Sequence, residues 1–206
     1  MARSGPRTFD RDAALEAATL VFWEHGYSGT SISQLTAAMK INPPSLYAAF
    51  GDKRALFTEV VNRYNATYGR FMADAFAEET TATGLVHRLI MGAAEHYAEG
   101  SHPPGCLVIA AAANNSPGNA EVSIELADRR NANRDLLQSR IADAIRSGEL
   151  PADTDARGLA TYVVAVIQGM SQQARDGVNT ETLMAVGEMA LRTWPVQPMS
   201  AAGRRG

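Results

Sequence analysis

A chain of 206 residues is long enough for one large domain or two small ones, and its 46% apolar content is ample for a core. No apolar run approaches the ~18–20 residues of a membrane span. No hydrophobic segment follows the arginines of MARSGPRTFD, so no secretory leader is expected, and a single cysteine excludes an internal disulfide and fits a reducing cytoplasm. The net charge of −3 is unevenly spread: residues 1–65 hold seven Lys/Arg against six Asp/Glu, whereas residues 66–206 hold twelve against sixteen.

Residues 1–8, with Arg3, Arg7, Gly5 and Pro6, read as a flexible arm that either stays disordered or reaches nucleic acid. The first helix is predicted over Asp10–His25. Ala14, Ala18, Val21 and Phe22 form its apolar stripe, Leu15 joins Phe22 in the core, and Gly26 ends it. A short helix follows over Ser31–Met39, with Ile32, Leu35, Ala38 and Met39 on one face and Thr30 or Ser31 able to cap it. After the turn Lys40-Ile41-Asn42, another short helix opens on Pro43 and Pro44, which are tolerated in a first turn. Asn42 precedes a proline, which pushes it into the extended backbone that an N-cap needs. Leu46 and Phe50 point inward, Gly51 ends the helix, and Asp52 caps the next. Two helices of about eight residues joined by so short a turn are a helix-turn-helix. Neither is long enough to stand alone in water, so a third helix must close the core.

Beyond it, one long helix is predicted from Asp52 to about Phe76, carrying Leu56, Val60, Tyr64, Tyr68, Phe71 and Ala75 at spacings of three and four. Thr83–Ala98 repeats the pattern with Leu85, Leu89, Ala93 and Tyr97, and GSHPPG at 100–105 breaks it. The apolar run from Cys106 to Ala113 reads as a buried helix, and Asn114 to Gly118 as a second break. Three more helices are expected over 119–147, Asp155–Arg175 and Thr180–Thr193. Gly148 stops the first, and Pro195 and Pro198 follow the last. The expected fold class is all-α.

The residues Phe22, Gly26, Tyr27, Thr30, Ser31, Ile32, Leu35, Ile41, Ser45, Leu46, Tyr47, Phe50, Lys53, Ala55 and Leu56 keep the spacing of a known signature. Over them the chain resembles the TetR family of transcriptional regulators. Two departures stand out: Lys40 occupies the turn where the family usually has glycine, and Ala48-Ala49 replace bulkier side chains that touch DNA in many members. The resemblance implies a DNA-binding domain over 1–55, a helical regulatory and dimerisation domain over 56–197, and a disordered tail over 198–206. The expected partners are a double-stranded DNA operator, a small-molecule effector and a second copy of the chain, with no membrane and no cofactor. Pro43 to Phe50 would be the recognition helix, with Pro43, Pro44, Ser45, Tyr47, Ala48 and Ala49 as its candidate contacts. Thr30, Ser31, Tyr47 and Lys53 are the phosphate candidates. Proline and alanine offer apolar surface that suits thymine methyl groups better than the bidentate guanine contact of an arginine. Tyr68, Leu89, Met91, Cys106, Leu137, Tyr162 and Ile167 are the expected effector pocket. Gly158, Tyr162, Ala165, Gly169, Leu183, Val186 and Ala190 are the expected dimer interface, the small ones allowing close helix approach.

The remaining chemistry reads more plainly. Cys106 is read as a small buried hydrophobe, the alternative being a redox or electrophile sensor at a helix start. His96, His102 and Cys106 fall within eleven residues but match no zinc spacing. There is no Gly-rich phosphate loop, GxSxG or HExxH, so enzymatic activity is not expected.

Overall fold

The computed structural model describes residues 9–113 and 119–195; the N-terminal arm, the 114–118 break and the expected tail lie outside the described residues. Ten helices and no strands make up the described chain: α1 (Arg11–Gly29), α2 (Ile32–Met39), α3 (Pro43–Phe50), α4 (Lys53–Ala66), α5 (Arg70–Glu78), α6 (Ala82–Tyr97), α7 (Leu107–Ala113), α8 (Ala120–Ser147), α9 (Ala156–Arg175) and α10 (Thr180–Leu191). The class is all-α, as the periodicity requires.

The chain divides into two compact units, one of residues 1–70 and 100–127, the other of 71–99 and 128–206. This is not the division near residue 55 expected from the sequence. The first unit keeps all of α4 and also recruits α7, which packs on α1 and α4. A sequence stripe shows that a helix has an inward face, not which neighbour that face meets.

In the first unit α1 is the hub, packing on α2, α4 and α7. Asp10 caps it by accepting bonds from the N–H groups of Asp12 and Ala13. Its helical backbone breaks at Gly26 (φ 70°, ψ 176°), a conformation that an L side chain resists. The chain can therefore turn there and bring Tyr27 under the core. Phe22 sits edge-on to Phe57 at 5.0 Å, and Tyr27 sits edge-on to the same ring at 5.0 Å. Trp23, which the stripe reading left out, is buried against Tyr64 and Tyr68 at 4.9 and 5.1 Å.

The long helix expected from Asp52 to Phe76 is broken. Thr67 leaves helical geometry (φ −119°, ψ −92°), and its hydroxyl donates back to the Arg63 carbonyl at 2.8 Å. The Gly69 N–H then closes on the Tyr64 carbonyl at 2.8 Å. A Cβ on Gly69 would lie 2.9 Å from Tyr64 Cε1, so a larger residue in this turn requires the buried Tyr64 ring to shift. Tyr64, Tyr68 and Phe71 keep helical spacing across the break, which hides it from a periodicity argument.

In the second unit α6 packs on α9 and α10, and these two pack on each other. Gly187 allows the close approach of α10 to α6, since a Cβ there would meet Ile90 Cγ2 at 3.0 Å and Met91 Sδ at 3.1 Å. The Glu149 carboxylate accepts bonds from the Ala82 and Thr83 N–H groups (3.1 and 2.8 Å) and from the Thr83 hydroxyl, closing the start of α6. Burial alone would raise the Glu149 pKa, but these bonds outweigh it and hold the carboxyl below its usual range. No described helix is long and apolar enough to cross a membrane.

Lys40, which ends α2, has φ 55° and ψ 38° and is the one positive-φ non-glycine among the described residues. A left-handed backbone crowds an L side chain. Lys40→Gly is therefore expected to raise stability by about 0.5–1 kcal/mol, read by thermal or urea unfolding. A less stable glycine variant would show that this turn carries no strain.

Candidate nucleic-acid interface

Each helix of the helix-turn-helix is held by its own cap. Ser31 and Gln34 form a capping box: the Gln34 N–H donates to Ser31 Oγ at 3.2 Å, and the Ser31 N–H donates to Gln34 Oε1 at 2.8 Å. Asn42 sits extended (φ −89°, ψ 161°), and its Oδ1 accepts the Ser45 N–H at 2.8 Å. Leu35 and Met39 of α2 and Leu46 and Phe50 of α3 are buried. At the far end of α3, Arg11 lies over the Phe50 ring at 4.4 Å, donates to the Ala49 carbonyl at 3.4 Å, and bonds both Glu59 oxygens at 2.8 and 2.7 Å. This brace between α1, α3 and α4 was not foreseen, because sequence spacing of 38 and 48 residues carries no local signal.

That leaves one face of α3 outward. Pro43, Pro44, Tyr47 and Ala48 are exposed, at positions that stack on one side of a helix, and Tyr47 is 50% exposed. Ser45 and Ala49 flank this face half-buried. Lys40 is exposed beside it, at the turn. Lys53 opens α4 half-buried, with its ammonium 4.4 Å above the Tyr27 ring. Burial pulls its pKa below the usual lysine range.

Two phosphate candidates fare differently. Thr30 is corrected: it is 2% exposed and its hydroxyl donates to the Gly26 carbonyl at 2.7 Å, so it braces the kink in α1 rather than facing solvent. Ser31 is exposed but already engaged in its capping box.

Behind this surface lies a polar and aromatic cluster that the sequence did not announce. Tyr68 donates its phenol to Glu16, and Arg63 Nε bonds the other Glu16 oxygen at 2.7 Å. Burial pushes the Glu16 carboxyl up, but the Tyr68 and Arg63 bonds and the Arg63 charge outweigh it, so its pKa is lowered. The same bond to Glu16, with burial, pushes Tyr68 up to about 12. His102, from the loop before α7, stacks on Trp23 at 4.5 Å and meets Tyr68 at 5.2 Å. The elements joined are α1, α4 and the loop before α7. Glu16, Thr19 and Trp23 recur at helical spacing, the only sequence hint of this second face.

The expected effector residues are divided between the two units. Tyr68 and Cys106 belong to the first unit, and Leu89, Met91, Leu137, Tyr162 and Ile167 to the second. Leu89, Leu137 and Ile167 are buried core, Met91 is half-buried and Tyr162 is exposed. Cys106 is 6% exposed, just ahead of α7. His96 stacks on Phe71 at 4.6 Å, and no group of three or more His, Cys, Asp or Glu among the described residues is placed to hold a metal.

For the dimer, Gly158, Tyr162, Ala165 and Gly169 fall on one exposed face of α9, and Val186 is exposed on α10. Leu183 and Ala190 are corrected: both are buried within the protomer. Exposed apolar residues outside that expected interface include Met189 on α10, 58% exposed, and Ile124 and Leu136 on α8, 60% and 56% exposed.

With the surface defined, comparison places the chain. Residues 14–60 match the family described as "Bacterial regulatory proteins, tetR family", and residues 84–183 match "Tetracyclin repressor-like, C-terminal domain". The chain is 34% identical over 194 residues to the HTH-type transcriptional repressor ComR of Escherichia coli (strain K12), covering 94% of this chain and 92% of that protein. It is 28% identical over 185 residues to the HTH-type transcriptional repressor BdcR of the same organism, covering 90% and 89%. Among solved structures it is similar to a cysteine mutant of the TetR family transcriptional regulator CifR complexed with 26bp double-strand operator DNA. That match has 42% identity and a TM-score of 0.87, covering 93% of this chain and 100% of that one. The chain belongs to the TetR family of bacterial transcriptional regulators.

The Glu16 network sets a pH dependence. A carboxyl with a depressed folded-state pKa contributes stability that is present above its unfolded pKa and is lost as pH falls through the folded value. Glu16→Gln is thus expected to be less stable than wild type at pH 7, with the gap closing as pH falls below the ordinary carboxylate range. Urea unfolding of both proteins at stepped pH measures this, and a gap that does not narrow in acid would exclude the ionic contribution.

Proposed function

We propose that the protein is a homodimeric repressor that binds a palindromic DNA operator and releases it on binding a small apolar molecule. The single observation that carries the DNA reading is the outward face of α3, built from Pro43, Pro44, Tyr47 and Ala48 while Leu46 and Phe50 anchor the opposite side. In a helix-turn-helix this helix enters the major groove by its N-terminal end. Tyr47, Lys53 and the Lys40 ammonium are the groups that position the unit on phosphate, while the rest of the face meets base edges. Net acidity is no obstacle, since two copies of a small basic surface act together.

Dimerisation through α9 and α10 rests on their exposed residues. Gly169, where an added Cβ would meet nothing within 4 Å, and the small Ala165 leave room for a partner backbone, while the space beside Gly158 is taken by Asp155; Tyr162, Val186 and Met189 supply apolar area left uncovered in one protomer. A two-fold interface uses the same patch twice and spaces two recognition helices on a symmetric site. The proposed effector enters the helical second unit, and its binding moves α4 and with it the recognition helices. Release by a ligand is preferred to thiol oxidation because Cys106 is only 6% exposed, which limits a reagent's access to its sulfur.

Two outcomes are expected. Tyr47→Ala should weaken binding about tenfold across all selected sites, with a shallower salt dependence and an unchanged sequence preference; a binding screen in which the variant prefers a new sequence would reassign Tyr47 to base reading. Met189→Asp should shift the protein toward monomer in analytical ultracentrifugation, and the monomer should lose most operator affinity. A variant that remains dimeric would move the interface elsewhere.

A further inference from the structure

We infer that the recognition helix reads its operator by contact with thymine 5-methyl groups, the backbone N–H groups of its first turn being absent or already bonded. The inference rests on α3 being the DNA-reading helix and specifies what it reads.

A helix N-terminus ordinarily presents unpaired N–H groups, which bond phosphate oxygens or the acceptors of base edges. At α3 they are absent or spent. Pro43 and Pro44, the first two residues, carry no N–H at all. The Ser45 N–H is taken by Asn42 Oδ1 at 2.8 Å, and the Leu46 N–H by the Asn42 carbonyl at 3.1 Å. In the turn before it, the Lys40 N–H bonds the Ala37 carbonyl and the Ile41 N–H bonds the Thr36 carbonyl.

Side chains replace these donors only with two hydroxyls. Across PPSLYAAF there is no charged group and no amide; the polar atoms are the Ser45 and Tyr47 hydroxyls. Asn42, just before the helix, has its amide oxygen committed to the cap, so its amide nitrogen is the one amide donor at this end. Arg11 is tied to Glu59 and to the far end of α3, Arg54 is paired with Glu121, and Arg63 with Glu16. The bidentate arginine-to-guanine contact is thus not presented by these three arginines. What the outward face offers is the ring methylenes of Pro43 and Pro44 and the methyl of Ala48, beside the Tyr47 ring. The one apolar group on a major-groove base edge is the thymine methyl. Nothing in the minor groove distinguishes thymine from uracil through that group, so its effect isolates this helix from any arm that tracks the other groove.

The test uses the full chain. Duplexes enriched from a random pool by the purified protein define the preferred site, which is then made in four forms: with thymine, with uracil in place of thymine, with 7-deazaguanine in place of guanine, and with single thymines restored. A buried methyl contributes roughly a fourfold change in affinity, and a symmetric site presents each position twice. Uracil throughout is expected to weaken binding tenfold or more, with recovery on restoring the one or two thymines per half-site that matter. Removing the guanine N7 acceptors is expected to change affinity less than twofold. In Ala48→Gly the ratio of thymine-duplex to uracil-duplex affinity should shrink, since the methyl that distinguishes them loses its partner. Equal binding of thymine and uracil duplexes, or an equally large loss with 7-deazaguanine, would overturn methyl reading while leaving the repressor intact. If no sequence is enriched at all, the DNA-binding reading fails and this inference with it.

Discussion

The edge-on contacts of Phe22 and Tyr27 with Phe57 are what the helix-turn-helix depends on. Helices α2 and α3 have eight residues each, too few to persist in water without tertiary packing. Their buried side chains, Leu35, Met39, Leu46 and Phe50, find a core only because α1 and α4 are already fixed to one another. The kink at Gly26 belongs to the same constraint, since it returns Tyr27 to the cluster, and the buried Thr30 hydroxyl ties the kink down. The recognition surface is therefore the outer side of a small aromatic core.

Local features were legible in the sequence. The Asn42 cap, a hydroxyl cap at Thr30 or Ser31, the proline start of α3 and the end at Gly51 follow from short-range backbone chemistry, which a sequence displays directly, whereas the left-handed Lys40 was signalled only by the family's glycine at that turn. The inward Leu46 and Phe50 followed from helical spacing. Contacts between segments distant in the chain were not legible. Arg11 reaching Ala49 and Glu59, Glu16 joining Tyr68 and Arg63, and His102 on Trp23 need the fold before they exist. Thr30 was misplaced for a related reason: a hydroxyl beside a helix start looks like a solvent-facing donor until the kink buries it.

Faces were harder than elements. The stripe on α10 mixes Leu183 and Ala190, which pack inside the protomer, with Val186 and Met189, which do not. Apolar character alone cannot separate residues buried in one chain from those left for another. The break after Ala66 was hidden in the same way, because three aromatic residues stay in register across a turn set by one hydroxyl and one glycine.

That break has a mechanical consequence. Helix α4 is a rod of 14 residues, about 21 Å long at 1.5 Å per residue. The turn at Thr67–Gly69 ends it on one side, and α3 is attached at the other through Gly51 and Asp52, while α1 packs along its length. Rotation by about 9° about the first end carries the other through about 3.4 Å, the axial step between neighbouring bases on one strand. At this length a small tilt of α4, carried together with the α1 packed on it, corresponds to a full base step at its far end.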